Sequence, residues 1–317
     1  MVLARLKTGS CKKRTLPGMH KMSVAFIGIG LMGEPMAKRL LDHGYLKAAW
    51  NRSPEKSQRL AAAGAVIAAS ASRATCGVDT VCLCLTDSHA VEEVMFGPHG
   101  VVSGLAGHSP PLIVDFSTSS PETSRTLAHR YRQAVGGSWL DAPVSGGVAR
   151  ADAGTLIAYC GGESTDFDQA SPILAALASR ATLLGPVGSG QAAKLIAQLI
   201  AAPTLVALAE ALATAEALGL EAGQLIDAYK DSLVDSPLLQ LFGRRMAARQ
   251  AEPRISAIGT MLKDIDNGLS MARAAGASAP IGAEAARVFR LLCAEGKESE
   301  DITALIEYFV QKSSRNS

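Results

Sequence analysis

GSGQAAKLIAQLIAAPTLVALAEALATAEALGL, residues 188–220, decides how the rest of the chain is read. Its spacing predicts one helix over 190–219, roughly 45 Å long at about 1.5 Å per residue. The predicted helix carries only three charges, Lys194, Glu210 and Glu216, and apolar residues run nearly all the way round it. Such a helix is buried on most sides. Lysine is rarely buried without a partner or a task. Lys194 nevertheless stands near the start, with Gln198 one turn later on the same face. A helix of this length outruns a small domain of its own, so packing against a second subunit is expected.

Outward to the N-terminal side, strands and helices alternate. The apolar runs 23–30, 46–50, 79–86, 111–117, 139–144 and 155–162 read as strands, and 121–134 as a helix between two of them. This βαβ alternation predicts a doubly wound, mostly parallel α/β sheet. On the C-terminal side strand signals stop. Helices are expected at 221–233, 262–275, 281–295 and 301–312. The division expected is a basic extension over 1–22, a Rossmann dinucleotide-binding domain over 23–187 and an all-α domain over 188–317, joined by the long helix. With 317 residues the chain is long enough for two cores.

Composition narrows the function class. The chain is 48% hydrophobic and 4% aromatic, with a formal charge of +2. That is no electrostatic footprint for nucleic acid. Six basic residues and no acid fall in 1–21, leaving −4 for the rest. This head reads as a disordered extension, as sequence upstream of a true start at Met19 or Met22, or as a mitochondrial transit segment. A cytoplasmic location is expected, or the mitochondrial matrix if the head is a transit segment. The six cysteines form no CxxC and suit a reducing compartment. The six histidines show no metal-ligand spacing, so no metal is expected. The long helix carries Pro203, Glu210 and Glu216 and is not expected to span a membrane.

GIGLMG, residues 28–33, fits G-x-G-x-x-G between a strand and a helix. Gly28 suits a tight turn, Gly30 a close approach to pyrophosphate, and Gly33 close helix–strand packing. The amides of Leu31 and Met32, at the helix start, face the same phosphates. Where an NAD-binding chain would carry an acidic residue, this one reads Asn51-Arg52-Ser53. Arg52 can fork onto a 2′-phosphate and Ser53 can donate to it, so NADP(H) is expected, with NAD(H) possible. A glycine-rich turn and a surface arginine are the plain alternatives. In DAPVSGGVARADAGTL, 141–156, the amides beside Ser145, Gly146 and Gly147 can hold a carboxylate, though an ordinary turn would read the same.

Four segments in order, GIGLMGEPMA, DAPVSGGVARADAGTL, GSGQAAKLIAQ and MLKDIDNGL, resemble the β-hydroxyacid dehydrogenase family over about 23–310. The resemblance implies a Rossmann domain joined by a long helix to an all-α domain, in homodimers or homotetramers. It implies that Lys194 is the catalytic lysine. Hydride reaching a carbonyl carbon leaves negative charge on oxygen, and a partly desolvated lysine can stabilise that charge and donate the proton. The resemblance further implies a substrate-carboxylate site at Ser145, Gly146 and Gly147. It places Ser117 and Thr118 beside nicotinamide and substrate, and Leu85 and Thr86 along the cofactor. Lys263 is implied to reach the cofactor ribose region, and Asp264 to place Lys194 or the substrate.

Two positions depart from the family. Gln198 stands where asparagine is common, and Ile255-Ser256 where a pocket phenylalanine is common, which leaves the substrate open. The expected activity is interconversion of a small hydroxy acid and its carboxylate-bearing aldehyde. An imine reductase usually lacks the lysine, and a non-catalytic dinucleotide-binding protein would have no use for it.

Overall fold

The computed structural model describes residues 22–313. The basic head at 1–21, and with it the readings of start site and transit segment, lies outside the described residues.

The first half runs β1 (Val24–Ile27), α1 (Gly33–Asp42), β2 (Leu46–Trp50), α2 (Gln58–Ala62), α3 (Ala71–Ala74), β3 (Thr80–Leu83), α4 (Ser88–Phe96), β4 (Leu112–Asp115), α5 (Pro121–Val135) and β5 (Trp139–Asp141). The five strands form a parallel sheet in the order β2-β1-β3-β4-β5. Alternate residues feed two cores, as the pleat requires. Val24 and Phe26 pack with Met36 and Leu40 of α1. Ala25 and Ile27 pack with Val91 and Met95 of α4. Because β2 and β3 flank β1 on opposite sides, the loops after β1 and β3 diverge and open a cleft at the strands' carboxyl ends.

The sheet does not continue as one body beyond β5, as the sequence reading expects. A second sheet of β6 (Val144–Ser145), β7 (Leu156–Cys160) and β8 (Ala178–Leu183) follows, with β6 antiparallel to β7. Pro143 lies at the break. It has no amide to extend the ladder toward β4, although Ala142 N still donates to Asp115 O at 2.8 Å. Between these strands lie α6 (Gly147–Ala153) and α7 (Ser164–Leu177).

The second half is helical: α8 (Ser189–Ala217), α9 (Ala222–Ala228), α10 (Arg244–Ala247), α11 (Ile258–Ala274), α12 (Pro280–Ala294) and α13 (Leu305–Ser313). A π-helical turn at Leu239–Gly243, in a stretch with no clear periodicity, precedes α10. The helix expected over 221–233 stops at Ala228, and the chain then turns through Asp231, whose φ is +61°.

By length and composition α8 could cross a membrane, contrary to the sequence expectation. In the fold, however, Leu205, Ala209 and Leu212 of α8 pack into the helical core with Ile265 of α11 and Phe289 of α12. Ile196 and Ile200 on its outer side are 53% and 66% exposed.

Candidate active site

The glycine loop is shaped by close contacts. Gly28 has φ +100°, and a Cβ there would lie 2.3 Å from Cys84 O. A Cβ on Gly33 would lie 1.9 Å from Gly28 O. A Cβ on Gly30 would meet nothing within 4 Å. The first two glycines are thus required by the fold, whereas the third leaves open a place where a phosphate can approach. The amides of Leu31 and Met32 donate to no acceptor among the described residues. These features fit a dinucleotide pyrophosphate.

Asn51 shapes the loop from below. Its Oδ1 accepts from Ile29 N at 2.9 Å and its Nδ2 donates to Ser53 O at 2.9 Å. Its side chain therefore holds protein backbone. Arg52 is exposed, with Glu93 Oε2 3.8 Å away, and such a surface pair is worth little. The Ser53 hydroxyl is unbonded among the described residues. A cleft of about 340 Å³ is lined by Gly30, Arg52, Ser53, Leu85 and Thr86. Lys56 lines it too. Sequence reading passed over this residue, although a cation one turn after Arg52, in a turn opened by Pro54, is a usable signal.

The other side of the site is carried by α8 and α11. Lys194 is 8% exposed, and among the described residues its ammonium forms no hydrogen bond or ion pair. Burial pushes its ammonium below the usual lysine range; Asp264 opposes that shift and Lys263 adds to it. Gln198 Nε2 donates to Asp264 Oδ2 at 2.9 Å. Asp264 Oδ1 is buried without a hydrogen-bond donor. Lys263 Nζ lies 3.2 Å from it, an ion-pair contact without hydrogen-bond geometry. The same Nζ donates to Thr86 O at 3.0 Å and Thr118 O at 2.8 Å. One α11 side chain thus bridges the loops after β3 and β4. Both acceptors are backbone oxygens of loops that follow strands of the first sheet.

Ser117 is 2% exposed, its Oγ accepts from Leu85 N at 2.9 Å, and its backbone N–H donates to Asp115 Oδ1 at 3.0 Å. Ser117 thus ties the loop after β3 to the end of β4, and Thr118 is the more open neighbour. Gly146 and Gly147 have φ of +136° and +71°, and their amides meet no acceptor among the described residues. A Cβ on Gly147 would lie 3.3 Å from Ile255 Cγ2, so Ile255 walls the Ser145–Gly147 loop. Nothing bonds that loop directly to Lys194 among the described residues.

Two buried residues escaped the sequence reading. Asp141 Oδ1 accepts from Gly188 N at 2.6 Å and its Oδ2 from Gln191 N at 2.8 Å, capping α8 from β5. Gln191 Nε2 donates to Ser117 O at 2.8 Å, and its Oε1 accepts from Ser119 N at 3.0 Å. Desolvation raises Asp141 to about 6 and the neighbouring Asp115 to about 7.

Residues 23–185 match the family described as the NAD binding domain of 6-phosphogluconate dehydrogenase. Residues 188–309 match that described as NAD-binding of NADP-dependent 3-hydroxyisobutyrate dehydrogenase. A 2-hydroxy-3-oxopropionate reductase of Escherichia coli (strain K12) is 33% identical, over 90% of this chain and 96% of its own.

The chain belongs to the β-hydroxyacid dehydrogenase family.

Two solved structures of the same architecture agree with that placement. One is 3-hydroxyisobutyrate dehydrogenase of Mycobacterium tuberculosis with L-serine, 29% identical, TM-score 0.79, covering 91% of this chain and 99% of that one. The other is Psf3 in complex with NADP+ and 2-OPP, 26% identical, TM-score 0.81, covering 90% and 99%. As a β-hydroxyacid dehydrogenase, the protein is an NAD(P)-dependent oxidoreductase, and its cofactor is a nicotinamide dinucleotide.

Proposed function

We propose that the protein is an NADPH-preferring reductase of small carboxylate-bearing aldehydes, running in reverse as a hydroxy-acid dehydrogenase, with Lys194 as general acid and base. The observation that carries this is Lys194 itself, an ammonium 8% exposed with no direct partner among the described residues. A cation held so is costly unless an anion arrives to use it. The bound dinucleotide supplies or removes the hydride. Lys194 stabilises the charge growing on the carbonyl oxygen and passes it a proton; in oxidation it takes the hydroxyl proton. Gln198 donates one amide hydrogen to Asp264 and keeps the other for the substrate's carbonyl oxygen. The free amides of Gly146 and Gly147, with Ser145 and Thr118, hold the substrate carboxylate. Arg52, Ser53 and Lys56 at the end of the cleft supply the preference for a 2′-phosphate. We further propose a reducing compartment, the cytoplasm or the mitochondrial matrix, on the strength of the buried free thiols Cys82 and Cys160.

The test is turnover of glyoxylate and of succinic, methylmalonic and tartronate semialdehydes, with NADPH and NADH side by side. Faster turnover with NADPH is expected. Arg52→Ala should weaken NADPH binding about 10–100-fold, the worth of a charge-assisted hydrogen-bond set, and leave NADH unchanged. Equal use of both cofactors would remove the NADPH preference. Tight NADPH binding without turnover of any aldehyde would favour an imine reductase or a non-catalytic dinucleotide-binding protein.

A further inference from the structure

Gln191 is fully buried, and both polar ends of its side chain are spent on one loop. Its amide nitrogen holds Ser117 O and its amide oxygen holds Ser119 N, while its backbone N–H is fixed by Asp141. Between the two gripped residues lies Thr118, whose own carbonyl is taken by Lys263 from α11. Gln191 is three residues before Lys194, on the same face of α8. The first turn of α8 is therefore keyed to the loop after β4, and Lys194 sits one turn beyond the key.

We infer that Gln191 is a positioning residue that sets where the Lys194 ammonium stands relative to the loop at Thr118. It reaches that role through two orientation-specific bonds. An apolar side chain of equal length would fill the same volume without fixing the helix against the loop. α8 continues for 29 residues into the helical core, so small changes at its start are not corrected locally. The inference rests on the proposed role of Lys194.

Gln191→Met keeps length and removes both bonds. The expected result is a fall in kcat of about 10–100-fold, the scale of a displacement near 1 Å, with the Kd for NADPH unchanged. A lysine eased from its buried position regains a higher pKa. Because reduction needs the protonated lysine, the alkaline limb of kcat should move to higher pH. The double variant Gln191→Met/Lys194→Met should be no slower than Lys194→Met alone. Gln191→Glu is the second variant. Its protonated carboxyl can still donate to Ser117 O and accept from Ser119 N, so kcat should approach the wild-type value at low pH and drop as the group ionises.

Wild-type kcat in Gln191→Met, multiplicative losses in the double variant, or pH-independent full activity in Gln191→Glu would overturn the inference. Should Lys194→Met itself keep turnover, the proposed mechanism falls and this inference falls with it. Loss in Lys194→Met without loss in Gln191→Met removes the positioning role alone.

Discussion

At the scale of single residues, three glycines in one loop answer to different causes. Gly28 and Gly33 are fixed by backbone oxygens 2.3 Å and 1.9 Å from where a Cβ would sit, while Gly30 faces open space. Gly33→Ala should lower stability by about 1–3 kcal/mol through overpacking. Gly30→Ala should leave the thermal midpoint where it is and weaken NADPH binding about tenfold or more, because its methyl fills the phosphate's place. Thermal melts beside a fluorescence titration check the pair; a destabilised Gly30→Ala with normal affinity would contradict the assignment. The glycine pattern was legible in the sequence because strand, turn and helix lie close together in it. What Gln191, Asn51 and Ser117 hold was not legible. Their partners are backbone atoms as far as 74 residues away, and neither periodicity nor spacing encodes such a bond.

At the scale of elements, β4 and β5 end in buried carboxylates that hold the chain on either side of the site. Asp115 accepts from Ser117 N at 3.0 Å, and burial raises it to about 7. Its protonated form is favoured in the folded state, so between the ordinary carboxylate pKa and about 7 the folded protein binds more protons than the unfolded chain. This group's contribution to stability therefore falls as pH rises through that window. Asp115→Asn keeps the acceptor and loses the titration. Its thermal midpoint should gain on the wild type by a few degrees between about pH 4 and pH 7; a constant difference would contradict the burial effect. The helix–strand alternation up to β5 follows the sequence pattern closely. The split into a second sheet does not, since one proline without an amide outweighs an apolar run that reads as one more strand.

At the scale of the whole molecule, α8 joins two cores and leaves Ile196 and Ile200 exposed one turn apart. Water is a poor cover for that stripe, and a second copy of the chain is the expected one. Ile200→Glu should convert a dimer or tetramer to monomer in light scattering; an unchanged mass would place the subunit contact elsewhere. The two halves also meet through side chains, with Lys263 of α11 holding Thr86 and Thr118 and Gln191 of α8 holding Ser117 and Ser119. The site is thus a product of their docking, and the proposed reaction turns on Lys194. The most direct measurement is steady-state reduction of the best semialdehyde by Lys194→Ala, with NADPH affinity measured on the same preparation. The account requires kcat to fall by about 10²–10⁴-fold while the Kd for NADPH stays at its wild-type value. Turnover retained by Lys194→Ala would contradict it.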